Sequence, residues 1–247
     1  MRCGCAAQTR ALLALALGLT ANALSFTNVF PYAPFMVKFF GLTDDDRELG
    51  FYAGFFMTAT QVGALLSSVF WGVMSDRWGK RVVIMIGLGS CTLPQLLFGL
   101  ATSMPVALAL RLLMGLLNGL IGAAKALAPE LVAPTEQAAA MSMIAATWGL
   151  GNLAGPAIGG LLSQYDACQE GNSDRCPPYP FLMPNLLCAA LAVLGLIAVR
   201  GLLPDDRKPT AAPPRGAALG AVAPEGSDAQ RDRVALRGSL RLSLIHI

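Results

Sequence analysis

The chain has little charge, and the charge it has is excluded from long stretches. Charged residues make up 13% of the 247 positions and hydrophobic residues 55%, where an ordinary soluble domain carries about 25% charge. No charge falls between Arg10 and Lys38, Glu48 and Asp76, Arg81 and Arg111, Glu136 and Asp166, or Arg175 and Arg200. Each gap exceeds the roughly 20 residues with which a helix crosses about 30 Å of hydrocarbon. So much apolar surface excludes a soluble fold or soluble binding module. Histidine is almost missing, its one copy being His246, and no Asp or Glu lies inside the gaps. Neither a hydrolytic Ser, His and acid set nor paired carboxylates nor a metal site has its side chains, so the reading is not an enzyme, without metal or cofactor. The net charge of +3 supplies no basic face for nucleic acid.

The six cysteines follow no metal-ligand spacing. Cys3 and Cys5 precede the first gap and Cys91 and Cys188 lie within gaps, which leaves Cys168 and Cys176 together in a polar loop. That pair forms a disulfide if the loop faces an oxidising compartment, and otherwise stays as two free thiols.

The pattern predicts an all-α membrane protein with crossings near 11–33, 51–75, 82–101, 105–128, 138–163 and 180–200, preceded by an N-terminal segment, 1–10. Arg2, Arg10 and Ala21-Asn22-Ala23 imitate a cleavable signal peptide. The apolar run through Leu24–Val37 instead makes the segment long enough to span uncleaved. The fourth crossing carries Arg111 and Lys125 between apolar flanks. An arginine at the centre of the bilayer costs about 2.5–3.5 kcal/mol, whereas a leucine gains only about 0.3–0.6, so Arg111 needs a buried partner or water.

Counting bases in the short connections orients the chain. With the N-terminus inside, the cytoplasmic face collects nine (Arg2, Arg10, Arg77, Lys80, Arg81, Lys125, Arg200, Arg207 and Lys208) and the outer face three (Lys38, Arg47 and Arg175). Both termini are therefore expected in the cytoplasm. Which membrane is occupied is not encoded. Residues 204–247, rich in Ala, Pro, Gly and Arg, bury too little to offset their ordering entropy and read as a disordered cytoplasmic linker or tail.

Glycines recur every four residues at Gly151, Gly155 and Gly159, and again at Gly115 and Gly119. In lipid, such small-xxx-small faces let helices approach closely. The connection Gly72-Val73-Met74-Ser75-Asp76-Arg77-Trp78-Gly79-Lys80-Arg81 packs one acid and three bases into six residues at the membrane face. It resembles the G-x-x-x-D-R-x-G-R-R motif of the major facilitator superfamily, with Lys80 replacing an arginine. Arg111-Leu112-Leu113-Met114-Gly115 resembles that family's fourth-helix motif. Gly151 to Gly160, with Gly155-Pro156 and Gly159-Gly160, resembles its fifth-helix motif, although Ser142 stands where the longest version has glycine. The finer pattern Asn28-Val29-Phe30-Pro31-Tyr32, Gly50-Phe51-Tyr52-Ala53-Gly54, Val69-Phe70-Trp71-Gly72 and Asn118-Gly119-Leu120-Ile121-Gly122 is similar to the zinc-induced-facilitator-like branch, relatives of the tetracycline drug:proton antiporters.

The resemblance covers residues 10 to about 205 and implies one six-helix half of a secondary transporter, with a small-molecule or ion substrate bound near mid-membrane between two halves. It implies that Asp76 meets a helix N-terminus of the second half and that Arg77 and Arg81 brace the same cytoplasmic gate. It also implies that Arg111 lines the cavity and takes part in proton movement. Asn22, Thr27, Asn28, Gln61, Gln95, Asn118 and Asn152 are further cavity candidates; Lys125 and Glu130 read more simply as solvated interfacial charges. A second class remains open: a half-size partner or scaffold that dimerises through its glycine faces without transporting.

Overall fold

The structure is a computed structural model, and it describes residues 2–43, 45–163 and 177–203. Among them lie eight α-helices and no strand: α1 (Arg2–Thr27), α2 (Ala33–Phe39), α3 (Asp46–Trp78), α4 (Lys80–Gly99), α5 (Met104–Leu116), α6 (Leu120–Leu127), α7 (Gln137–Leu162) and α8 (Leu182–Leu202). Two 3-10 turns, Ala128–Glu130 and Pro134–Glu136, join α6 to α7. Five described segments are long and apolar enough to cross a membrane: Ala7–Thr27, Arg47–Trp78, Lys80–Gly99, Met104–Glu130 and Leu182–Leu202. The remaining long helix, α7, spans 26 residues at the expected 138–163 and is not among those five.

Helix limits differ from the expected crossings where local chemistry intervenes. The first crossing, expected over 11–33, stops at Thr27 and turns before α2, because Pro31 and Pro34 cannot donate to a continuing helix. The second extends beyond 51–75 at both ends. Asp45 caps it by accepting from the Arg47 backbone N–H at 3.0 Å, and helix continues through Asp76 and Arg77. The connection to α4 is then Gly79 alone, at φ 94°, where a side chain would be strained. Gly72, the first residue of the connecting motif in the sequence, lies in the helix with open space beside it. The fourth crossing, expected as one helix over 105–128, is broken at residues 117–119.

The helices pack as pairs, α4 on α8, α3 on α5 and α1 on both α7 and α8. Missing Cβ atoms permit the close crossings. A Cβ on Gly63 or Gly115 would strike the opposing backbone at Leu112 or Thr60, and one on Gly159 the Asn28 carbonyl. The interior is layered along the helix axes. At the Gly79 end, one apolar core joins Leu15, Leu19, Val83, Ile84, Leu120 and Val199. At the opposite end, Tyr32, Met36, Phe56, Phe98 and Phe181 form a second. Buried polar side chains from α1, α4, α5 and α8 fill the depth between them. Outward, Leu65, Val69, Leu153 and Leu161 are each more than 70% exposed, which suits lipid or a further helical layer and not water.

Candidate functional site: the Gly79 turn and the mid-depth polar layer

Two groups of residues carry the chemistry. At the Gly79 turn, Lys80 forms an ion pair with Glu130 in the 3-10 turn after α6, and the Arg81 guanidinium donates to the Arg200 carbonyl near the end of α8. The turn is thereby tied to the ends of the fourth and sixth crossings. Glu130 thus has a defined partner, while Lys125 is exposed on α6. Asp76 and Arg77 are exposed at the end of α3, and Asp76 makes no ion pair among the described residues.

The second group is a buried amide network. Asn185 Oδ1 accepts from Gln95 Nε2 at 2.7 Å, from the Tyr32 hydroxyl at 3.1 Å and from Asn28 Nδ2 at 3.3 Å. Gln95 Nε2 also donates to Asn28 Oδ1 at 3.2 Å, and Asn185 Nδ2 to the Phe181 carbonyl at 2.7 Å. Toward the Gly79 end, Asn22 donates to Cys91 Sγ at 2.9 Å and accepts from Asn118 at 3.4 Å. Buried polar groups in hydrocarbon must find partners inside the protein, and these amides tie α1, α4 and α8 together.

Arg111 is the exception within this layer. It is 1% exposed, with Nη1 donating to the Ser25 carbonyl at 3.2 Å and the guanidinium 4.0 Å above the Phe98 ring. Its Nε and Nη2 are buried without a hydrogen-bond partner, as is Gln95 Oε1. A cation is thus held at mid-depth by a carbonyl and an aromatic face, and among the described residues the carboxylates of the crossings stand only near their ends.

Several expected residues are brought together, and others are not. Asn22, Asn28, Gln95 and Asn118 join the layer, whereas Gln61 is exposed on α3 and Thr27 and Asn152 are half-buried. Gly151 and Gly155 face α1 at Ala23 and Thr27, Gly159 meets the Asn28 carbonyl just beyond it, and Gly160 lies in ordinary contact with Pro31. Pro156 sits inside an unbroken α7. Cys168 and Cys176 lie outside the described residues, as does the segment 204–247. Tyr32, Ser25, Phe98 and Asn185 were not expected in the site. An asparagine in an otherwise charge-free crossing was the signal for Asn185.

Paired apolar helices, a glycine-made turn and a buried mid-depth cation define a multi-pass helical membrane protein. The profile of the Major Facilitator Superfamily matches residues 15–245, and the chain belongs to that family. It is 37% identical over 192 residues to the major facilitator superfamily multidrug transporter mfsB of Aspergillus fumigatus, covering 76% of this chain and 32% of that protein. It is 36% identical over 177 residues to the zinc-induced facilitator-like 1 protein of Arabidopsis thaliana, covering 70% and 37%. The crystal structure of the human organic anion transporter MFSD10 (TETRAN) shares its fold, with a TM-score of 0.62 at 20% identity over 80% of this chain and 48% of that one. The chain spans about a third of the length of the curated relatives it matches.

Proposed function

We propose that this chain is the N-terminal half of a secondary transporter that exports small solutes in exchange for protons, working with a second six-helix half in the same longer protein or on another subunit. The observation that carries the reading is Arg111, a mid-depth cation with two unpartnered nitrogens and no acid at its own depth among the described residues. Moving a proton requires an ionisable group at depth, and an acid from the second half would complete the pair. Asp76, exposed at the end of α3, would meet the same half at the gate. Both termini and the Gly79 turn lie in the cytoplasm in this reading, supported by the distribution of basic residues.

A scaffold dimerising through glycine faces is the weaker reading. Gly115, Gly119, Gly151, Gly155 and Gly159 are all occupied by helices of this same chain, so those faces are spent internally.

The test is proton-driven transport in proteoliposomes by the full-length transporter containing this chain. Substrates would be drawn from small organic solutes and ion complexes. Arg111→Ala is expected to abolish transport at normal expression and folding; transport retained would refute the role.

A further inference from the structure

The break in the fourth crossing is not a loose end. Regular helix lapses over Leu117, Asn118 and Gly119, the Leu117 N–H still reaching the Leu113 carbonyl at 3.0 Å, yet the surrounding groups are accounted for. The Asn118 side chain accepts from the Leu120 backbone N–H at 3.2 Å and so starts α6. The Leu116 carbonyl, which has lost its helical donor, accepts from the Trp71 indole Nε1 at 2.7 Å. The Gly115 carbonyl accepts from the Asn118 N–H at 3.1 Å and, more weakly, from Ser67 Oγ at 3.5 Å. Gly119 has no room for a Cβ, because the Trp71 ring would lie 2.6 Å from it. Asn118 Nδ2 reaches Asn22 on α1, and Leu120 fills the space beside Gly87 on α4. Non-helical backbone at membrane depth survives only where protein buries it, and here three helices do so.

We propose that residues 117–119 are a pivot in the fourth crossing and that Trp71 is the positioning residue that latches it. On one side, α5 carries Arg111; on the other, α6 leads to Glu130, which holds Lys80 at the turn. Rotation at the pivot changes the placement of the Gly79 turn relative to the buried cation without breaking either helix. Trp71 stands on α3, six residues before Arg77, so a movement of the end of α3 loads the indole bond directly. The pivot itself is a property of this chain alone; its use in a transport cycle rests on the reading given above.

The test pairs two measurements. In the purified full-length protein containing this chain, Trp71→Phe keeps an aromatic ring on Gly119 and deletes the N–H donor. Amide hydrogen exchange is expected to quicken about threefold over residues 117–123, as for loss of one membrane hydrogen bond, and to stay unchanged over 105–113. No change, or equal acceleration on both sides, would overturn the pivot. If Trp71→Phe does not fold, Ser67→Ala, which removes the weaker contact, is expected to give a smaller acceleration confined to the same residues, and a uniform one would overturn it. In the full-length transporter, Trp71→Phe is expected to change turnover with KM unaltered. Altered KM with unaltered turnover would assign Trp71 to substrate contact instead. Exchange needs no substrate, so a wild type that does not transport sinks the transport reading while leaving the pivot to be judged on exchange alone.

Discussion

Substituting Gly155 with alanine should destabilise the bundle, whereas the same change at Gly149, six residues earlier on α7, should not. A Cβ on Gly155 would overlap Thr27 Oγ1 and lie 3.0 Å from Thr27 Cβ and 3.2 Å from the Asn28 nitrogen. Thr27 cannot swing aside at no cost, because its hydroxyl donates to the Ala23 carbonyl at 2.9 Å. The helices α1 and α7 must separate, and overpacking of this kind costs about 1–3 kcal/mol. Alanine recovers about 0.5–1 kcal/mol of glycine's helix penalty, which leaves a net loss of up to about 2.5 kcal/mol, with a midpoint of about 1.2 kcal/mol. At about 2–4 °C per kcal/mol for a chain of this size, Tm should fall by roughly 2–5 °C at that midpoint. Gly149 has nothing within 4 Å of its added Cβ, so Gly149→Ala should leave Tm unchanged or raise it. Melting can be followed in one detergent with a thiol-reactive fluorophore that reports the unmasking of Cys91 and Cys188, both free and buried, with Cys3, Cys5, Cys168 and Cys176 replaced by serine. Equal shifts for the two substitutions would refute the claim that close approach through Gly155 holds α7 on α1.

Asn185→Leu removes the oxygen on which Gln95, Tyr32 and Asn28 converge. At about 0.6 kcal/mol per membrane hydrogen bond, it should cost about 2 kcal/mol by thermal melting, and an unchanged Tm would contradict the network. Glu130→Gln breaks the ion pair with Lys80, but Glu130 is 59% exposed, so its effect on melting should stay within that of about 1 kcal/mol. Arg111→Met in the purified half should not lower Tm, because the cost of a buried arginine, about 2.5–3.5 kcal/mol, offsets the lost Phe98 and Ser25 contacts. A clear drop would mean that Arg111 is a structural strut.

The crossings were legible because lipid excludes charge, so five uncharged gaps located the apolar segments without any knowledge of packing. The same signal misplaced helix ends. Charge marks where hydrocarbon stops, whereas Asp45 and Gly79 mark where the second helix starts and stops, several residues further out. The break at 117–119 was hidden for a different reason. Asn118-Gly119 reads as a packing face, and the groups that make it a break, Trp71 and Ser67, are 45 and 48 residues away from the carbonyls they serve. In the site, polar side chains within apolar segments pointed to Asn22, Thr27, Asn28, Gln61, Gln95, Asn118, Asn152 and Arg111, of which Thr27, Gln61 and Asn152 stay outside the buried layer. That signal could not say that the amides would satisfy one another through Asn185 while Arg111 kept two nitrogens unpaired.

The account depends most on how the chain is threaded through its membrane. Single cysteines placed at Thr43, in the turn before α3, and at Trp78, beside Gly79, can be labelled in intact cells with a membrane-impermeant maleimide after the native cysteines are replaced. Labelling of Thr43→Cys in intact cells, and of Trp78→Cys only after permeabilisation, is the expected result. Trp78→Cys labelled from outside, or both positions labelled from the same side, would contradict it.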